Sequence, residues 1–475
     1  MGTVNVRLTD GRTLQLDDAP VGSGAEKRVF LTRDRQYAVG FFFGHLADRR
    51  ERLDRLTRII ATYNPTLGAK GEYWTPYFCW PVAMVEGVNA VPQEFARRQQ
   101  LVWPPLGVVT PVYRNTFYFR DRFGSRQEKE VKWFTGGKAS HFVPQEEQGN
   151  LLTRMQVAVR LTRAIRRMHF AGLAHSDLSN KNVLVDPKGG DACVIDIDSL
   201  VVPGIAPPSV LGTPGYIAPE VLAGKAVPSI ATDRHALAVL LYQLLLQRHP
   251  LQGTRVNSSR SAEEDETLSM GARALFVEHP TDRSNPPAKP ITVPYTRLGP
   301  FLAPLFEKSF VHGLHNPNKR ADAAEWEGAL YHTMNMLAPT TSGRKWVVAG
   351  PGLHNKCAWT GEHIAGPLPY ARVWRDTGTG LVDEKLTFTL FHHLILHQWH
   401  LRSSVSPNEH ADRAPQAYIA QHGGKWWLVN LSHTPMHVID GPRIGHNEQV
   451  ELVPGLALRA GDDVPARVLR IDFLR

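Results

Sequence analysis

Asp177, Asn182 and Asp196 are the residues whose types and spacing most directly suggest chemistry. Two of them lie in His175-Ser176-Asp177-Leu178-Ser179-Asn180-Lys181-Asn182-Val183-Leu184-Val185-Asp186, and the third closes the short strand-like run that follows. An isolated carboxylate is followed by an amide five residues on and a second carboxylate fourteen residues further. Phosphoryl transfer asks little covalent chemistry of a protein. It needs a base to orient a hydroxyl and oxygen ligands to hold a divalent cation against the phosphates. Asp177 has the type for the base, Asn182 and Asp196 for the ligands. A polar turn also carries Asp and Asn for conformational reasons alone, so the surrounding elements decide between the two.

Those elements are legible. Leu151, Met155, Ala158, Leu161, Ile165 and Met168 recur at steps of three and four and Gly172 stops the run, which predicts a core-facing helix leading into the loop. Beyond the loop, Gly212-Thr213-Pro214-Gly215-Tyr216-Ile217-Ala218-Pro219-Glu220 precedes a second helix, opened by Thr232-Asp233 and strongly apolar to about Leu246. Asp233 suits an N-terminal helical carboxylate, and His249-Pro250 ends the run.

The loop resembles the His-Arg-Asp-Leu-x-x-x-Asn catalytic loop of the protein kinase superfamily, with Asp196 in the place of the Asp of Asp-Phe-Gly. Gly212–Glu220 resembles the end of its activation segment. The resemblance implies an α+β, two-lobed kinase-like fold that uses ATP with Mg2+ or Mn2+. In it Asp177 is the catalytic base and Asn182 and Asp196 are metal ligands. His175, Thr213, Glu220, Asp233 and Arg320 are structural: Glu220 pairs with Arg320, and Asp233 braces the loop backbone.

The nucleotide end departs from the pattern. Gly22-Ser23-Gly24-Ala25-Glu26-Lys27-Arg28-Val29-Phe30 falls where the glycine loop belongs, but Lys27 stands in place of its third glycine. In the next strand, Tyr37-Ala38-Val39-Gly40-Phe41-Phe42-Phe43, Gly40 occupies the lysine position of Val-Ala-Ile-Lys. The two departures are complementary, and with-no-lysine kinases share this arrangement. The resemblance makes Lys27 a catalytic, phosphate-binding residue and adds Gly22, Gly24, Val29, Ala38, Thr110 and Val112 to the nucleotide site. A lysine beside Arg28 that merely faces solvent is the competing reading. The helical partner of Lys27 is Glu51 or Asp54, on a helix expected over 46–62, and the sequence does not choose between them.

Other departures are smaller. Ser176 replaces the Arg of His-Arg-Asp, which removes the usual reader of a phosphorylated activation loop. Ser179 replaces a lysine that serine/threonine kinases carry, and Lys181 lies nearby. Asp198 replaces the Gly of Asp-Phe-Gly and reads as an outward-facing loop residue, or else as a further metal-site carboxylate. Thr213 fits the serine/threonine pattern, so a Ser or Thr hydroxyl is the expected acceptor.

With 475 residues, 42% apolar and 21% charged, the chain is expected to fold as two or three ordinary globular domains. No apolar run is long enough to span a membrane and no signal pattern opens the chain, so a cytoplasmic protein is expected. Three scattered cysteines give no disulfide framework. The net charge of +9 comes with arginine clusters at 49–58 and 163–167, which read as solvated helix faces. Nucleic acid is not expected as a partner, since no recognisable binding motif accompanies them.

The expected domains are a small lobe over 1–112, a mixed-charge insertion over 113–149, a large lobe over 150–337, a linker over 338–350 and a β-rich domain over 351–475. A second insertion, about 251–296, carries Glu263, Glu264, Asp265 and Glu266. Strand-like runs at 424–431, 437–439, 449–452, 456–459 and 466–473 suggest a small all-β sandwich, similar to a forkhead-associated fold but without that fold's phosphothreonine-binding pattern. His392, His393, His397 and His400 fall partly at the i, i+4 spacing that presents two imidazoles to a metal, and Cys357-Ala358-Trp359-Thr360 looks like half of a Cys-x-x-Cys knuckle; no accompanying acid or second cysteine completes a site, so packing is the favoured reading.

Taken together, the lysine in the glycine loop, Tyr63-Asn64-Pro65-Thr66, the His-Ser-Asp-Leu-Ser loop, Ile195-Asp196-Ile197-Asp198 and the trailing β-domain resemble the kinase of the bacterial TerY-P triad. That resemblance implies a tellurite-resistance or stress-signalling context, a protein substrate, and as partners a von Willebrand A-domain protein and a type 2C protein phosphatase. The leading expectation is an active serine/threonine protein kinase. A catalytically silent pseudokinase that scaffolds partners is the alternative, and the Gly212–Glu220 segment argues against a small-molecule phosphotransferase.

Overall fold

The computed structural model describes residues 2–24, 26–44, 46–208, 212–462 and 465–474; Ala25 of the glycine-loop motif lies outside them. Two compact units result. One comprises Met1–Gly149, Gln156–Lys289 and Leu305–Glu327, the other Asn150–Met155, Pro290–Pro304 and Gly328–Arg475. Among the described residues no helix is long and apolar enough to cross a membrane.

The first unit opens with a hairpin, β1 (Thr3–Arg7) and β2 (Thr13–Asp17), whose alternating residues Val4, Val6 and Leu16 are buried. A five-stranded sheet follows, built from β3 (Gly22–Ser23), β4 (Lys27–Leu31), β5 (Tyr37–Phe42), β6 (Ala83–Glu86) and β7 (Leu106–Pro111) in the order β3-β4-β5-β7-β6. β4 and β5 are antiparallel, with Lys27 opposite Phe42 and Val29 opposite Gly40. One face of this sheet packs Phe30, Val39 and Phe41 with Phe95 and the hairpin valines.

Helix α1 (Arg49–Ala61) turns Arg52, Arg55, Leu56 and Ile59 inward. Those positions follow the i, i+3, i+4, i+7 face of a helix. Two members of that face are arginines, and each finds polar partners. Arg52 bonds Glu26 at 2.8 Å and Asp48 at 3.3 Å, and Arg55 donates to the Ala206 carbonyl at 2.9 Å.

The helix Leu151–Phe170 ends just before Gly172, which has φ +78 and donates its amide to the His169 carbonyl at 3.0 Å. The hairpin Val183–Asp186 with Asp191–Val194 then carries the chain from Asn182 to Asp196. The helix Ile230–Leu246 starts two residues before the expected Thr232, because the Thr232 hydroxyl caps the Ser229 amide at 2.9 Å. It is buried on nearly every face.

Residues 113–149, expected as an insertion, belong to the first unit and are stitched to the strand after the Asp177 loop. Lys129 is 3% exposed and bonds Asp186 at 2.7 Å and Glu147 at 2.6 Å. The Lys132 amide donates to the Asn180 carbonyl at 3.1 Å.

In the second unit a six-stranded and a four-stranded sheet contribute to one apolar core that includes Tyr370, Val373, Phe388, Ile419, Leu428 and Ile471. The expected strands at 424–431, 437–439, 449–452, 456–459 and 466–473 each meet an observed strand within a residue or so. Leu368–Asp376, Leu381–Thr389 and Ala417–His422 were not anticipated. The stretch 338–350, read as a linker, holds an antiparallel pair instead, Leu337–Pro339 with Trp346–Val348. Its Pro-Thr-Thr-Ser-Gly segment is the turn of that hairpin, with Gly343 at φ +70.

Candidate active site

The loop after the helix Leu151–Phe170 is held from beneath. Asp233 is 2% exposed and accepts the His175 amide at 2.6 Å and the His169 ring at 3.2 Å. The His175 ring is fully buried and lies 2.9 Å from the Ile195 carbonyl, which can only accept, so Nε2 carries the proton. His175 therefore links the loop to the residue before Asp196. Ser176 sits at φ +66 and donates to the Ser199 carbonyl at 2.9 Å.

Both oxygens of Asp177 are engaged. Oδ2 accepts from the Asn182 amide at 2.9 Å, and that amide also bonds the Asp177 carbonyl at 2.8 Å. Oδ1 accepts from the Thr213 amide at 2.7 Å and its hydroxyl at 2.8 Å. The Asn182 nitrogen is thus committed, which leaves its oxygen as an acceptor. Ser179 is fully buried 3.2 Å from the Thr213 hydroxyl, while Lys181 is exposed.

Glu220 and Arg320 form a bidentate pair with both distances 2.7 Å. Arg320 also donates to the carbonyls of Gly313, Leu314 and Ala231. A planar guanidinium fits this cage, and a lysine could not fill it. The pair ties the segment after Thr213 to the far end of the unit.

Above the loop lies a cleft of 1570 Å³ lined by Gly22, Gly24, Lys27, Val29, Ala38, Thr110 and Val112, with Asp177 and Asp196 on its floor. Lys27 reaches into it from β4. Its Nζ lies 2.7 Å from Asp196 Oδ1, and 2.7 and 2.8 Å from the two oxygens of Asp198. A Cβ at Gly40 would stand 3.5 Å from Lys27 Cδ, so the Lys27 stem runs over the position a lysine on β5 would occupy. The solvent-facing alternative for Lys27 is therefore corrected, because its side chain is only 24% exposed and doubly paired.

Asp196 is in the left-handed region at φ +59, with a 40% exposed side chain. The charge of Lys27 holds its carboxyl down to about 2. Burial pushes Asp198 the other way, above the ordinary Asp range, against the pull of Lys27. Two further expectations fail here. Asp198 does not face outward, since its side chain is 6% exposed and turned onto Lys27. Neither Glu51 nor Asp54 partners Lys27: Glu51 is exposed and Asp54 pairs with Arg58. Both carboxylates lie off the inward face of α1, which is occupied by Arg52 and Arg55. The spacing of Arg52, Arg55, Leu56 and Ile59 carried that information.

β7 ends at the position that the kinase resemblance makes the hinge between the lobes. Thr110 and Val112 line the cleft, but the Val112 amide already donates to the Gln36 carbonyl at 3.0 Å. Pro111 has no amide hydrogen, and its carbonyl accepts from the Cys79 thiol at 3.3 Å, whose pKa burial pushes up to about 12.

Among the described residues no group of three or more His, Cys, Asp or Glu side chains is placed to hold a metal. His400 is buried, which pushes its pKa down to about 3, and its Nδ1 accepts the His397 amide at 2.9 Å.

Comparison with known proteins bears on this geometry. The protein kinase domain family matches residues 136–320. Residues 136–320 are thus similar to protein kinase domains, over less than half of the chain. A rabbit (Oryctolagus cuniculus) serine/threonine-protein kinase 17A is 26% identical over 174 residues, covering 32% of this chain and 44% of that protein. The dual serine/threonine and tyrosine protein kinases of Gallus gallus and Homo sapiens are each 35% identical over 94 residues, covering 20% of this chain and 10% of theirs. The chain spans less than half the length of these curated relatives. The matched segment contains Asp177, Asn182, Asp196, Glu220, Asp233 and Arg320. Lys27 and the glycine strand lie before it.

Proposed function

We propose that this chain is an ATP-dependent serine/threonine protein kinase whose phosphate-binding lysine is Lys27, on β4. The observation that carries the proposal is the path of that side chain. It crosses Gly40, the usual lysine position, and brings its amine to Asp196. In this reading Gly22 and Gly24 let the backbone approach the phosphates, while Val29 and Ala38 line the base pocket with Thr110 and Val112. Asp177 receives the acceptor hydroxyl and takes its proton as the hydroxyl oxygen bonds the γ-phosphorus of ATP and the bond from that phosphorus to the β–γ bridging oxygen breaks, releasing ADP.

Asn182 and Asp196 suit Mg2+ or Mn2+, because both offer hard oxygen donors. Asp196 is ionised and open to the cleft, and the Asn182 oxygen is left over once its nitrogen has bonded Asp177. A divalent cation there supplies positive charge against the phosphate oxygens.

The acceptor is proposed to be a protein Ser or Thr, in view of Thr213 beside Asp177 and the Glu220–Arg320 anchor behind it. The motif set further suggests a bacterial stress-signalling triad with a von Willebrand A-domain protein and a type 2C phosphatase. The C-terminal unit would then be its forkhead-associated-like binding module.

The test is incubation with labelled ATP and magnesium, comparing wild type with Asp177→Ala and Lys27→Met. Label that enters protein Ser or Thr, is lost in Asp177→Ala and is strongly reduced in Lys27→Met supports the assignment. Equal incorporation by all three refutes it and leaves a silent scaffold.

A further inference from the structure

Moving the lysine from β5 to β4 also moves its counter-charge. A long ammonium side chain has about 2 kcal/mol of rotamer entropy to lose, so holding it in one place calls for a fixed anion. Asp196 is a poor sole anchor. It meets Lys27 through one oxygen, its side chain is 40% exposed, and it is the carboxylate proposed above to serve a divalent cation. Asp198 has the properties Asp196 lacks. Both its oxygens contact the amine, at 2.7 and 2.8 Å, and its side chain is 6% exposed. It also sits in the short turn Ile197–Ser199, which the loop grips through the Ser176 hydroxyl bonded to the Ser199 carbonyl.

Helix α1 offers no competing anchor. Its cleft-facing residue is Arg52, which is itself paired with Glu26 and Asp48 and stacks over Phe42 at 4.7 Å. An arginine there disfavours an approaching ammonium. Asp54 is spent on Arg58, and Glu51 is exposed.

We infer that Asp198 is the positioning residue for Lys27, and that it does from the Asp196 segment what an α1 carboxylate does in kinases with the usual strand lysine. It rests on the kinase reading for its catalytic consequence, but not for the pairing itself. Residue 198 is where the family carries glycine, and here the carboxylate is what makes a lysine on β4 usable. Helix α1 then bears on the lysine only through the turn it packs against, where Arg55 lies close enough to Asp198 to feel its charge. The cleft instead assembles when β4 and the Asp196–Asp198 turn come together.

Two readouts test this on the full chain. The first needs no activity: amide hydrogen exchange followed on peptides covering 27–31 and 195–200. Asp198→Asn, which keeps shape and removes charge, should speed exchange in both peptides at least tenfold. Lys27→Met should do the same, and the double variant should add no more than twofold. Glu51→Gln and Asp54→Asn should stay within twofold of wild type. The second readout is steady-state kinetics, where Asp198→Asn should lower kcat at least tenfold and leave KM for the protein substrate within twofold.

Exchange within twofold of wild type in Asp198→Asn overturns the inference. So do effects that multiply in the double variant, or a tenfold change from either α1 variant. If the wild type transfers no phosphate but the exchange coupling is present, the pairing stands and the kinase reading fails.

Discussion

Thr213 closes on Asp177 with two donors at once, its amide at 2.7 Å and its hydroxyl at 2.8 Å, both to Oδ1. The segment that should receive a substrate is thereby fastened to the base that should act on it. Bonds to a charged acceptor contribute about 1.5–3 kcal/mol each, so this contact fixes the carboxylate's rotamer. Thr213→Val removes one donor and keeps the shape. We expect kcat to fall about tenfold, the equivalent of about 1.4 kcal/mol, and Thr213→Ser to stay near wild type. Initial rates with labelled ATP decide it, and equal rates for Val and Ser would show that the hydroxyl is irrelevant.

Lys27→Met should reduce phosphoryl transfer by about 10²–10³, the scale for losing one preorganised charge donor. Because the Lys27 stem passes 3.5 Å from a Cβ at Gly40, the two positions compete for one volume. Gly40→Lys alone should therefore impair the wild type. Combined with Lys27→Met it should recover at least tenfold over the single Lys27 variant. A double variant no better than Lys27→Met would mean that the β5 position does not reach the same phosphates.

Arg320→Lys should be as damaging as Arg320→Ala. Arg320 is almost wholly buried and fills a cage of one carboxylate and three carbonyls. Removing one partner of a buried pair costs about 3–5 kcal/mol. Urea denaturation followed at the first unit should show a lower midpoint for both variants, and a lysine variant that unfolds like wild type would contradict the role of the bidentate geometry.

His249 gives a pH dependence whose sign is fixed by burial. Its pKa is pushed down to about 4 while its Nε2 donates to the Gly215 carbonyl at 2.9 Å. The unfolded chain binds a proton near pH 6.5, where the folded chain does not. Its contribution to stability is thus complete above about 6.5 and is lost as pH falls toward 4. Comparing urea midpoints at pH 7 and pH 5, His249→Gln should narrow the gap between them. An unchanged gap would assign the pH dependence to other groups.

Asp196 runs through a lower window. Lys27 holds its carboxyl at about 2, below the unfolded value, so the contribution is present above about pH 4 and lost as pH falls to 2. Asp196→Asn should flatten the acid limb of the stability curve in that interval and leave the pH 7 to 5 difference untouched.

Much of this was readable from residues alone, and the reasons differ by element. The Asp177 loop and the Glu220–Arg320 anchor follow from short motifs in which each side chain has one geometric job. The Leu151–Phe170 helix follows from its spacing, since packing enforces the period. Asp198 was misread because motif position 198 is a glycine in the family. A local comparison cannot see that a lysine 171 residues earlier in the chain would need an anion there. Glu51 and Asp54 fail as partners for a related reason: residue type alone points to them, while the inward face of Arg52, Arg55, Leu56 and Ile59 excludes their side of the helix. Leu368–Asp376 escaped because its run LPYARVWRD does not alternate cleanly; its first four residues are all buried.

The hinge position has a practical consequence for inhibitor chemistry if the kinase reading holds. A flat heterocycle placed at this edge of the cleft needs adjacent backbone donors to bond to. Here Pro111 has none to give and the Val112 amide is engaged by Gln36. A scaffold chosen for its hinge pharmacophore should lose potency against this chain. One that carries an anionic head toward Lys27 should gain selectivity over kinases whose lysine is on the neighbouring strand.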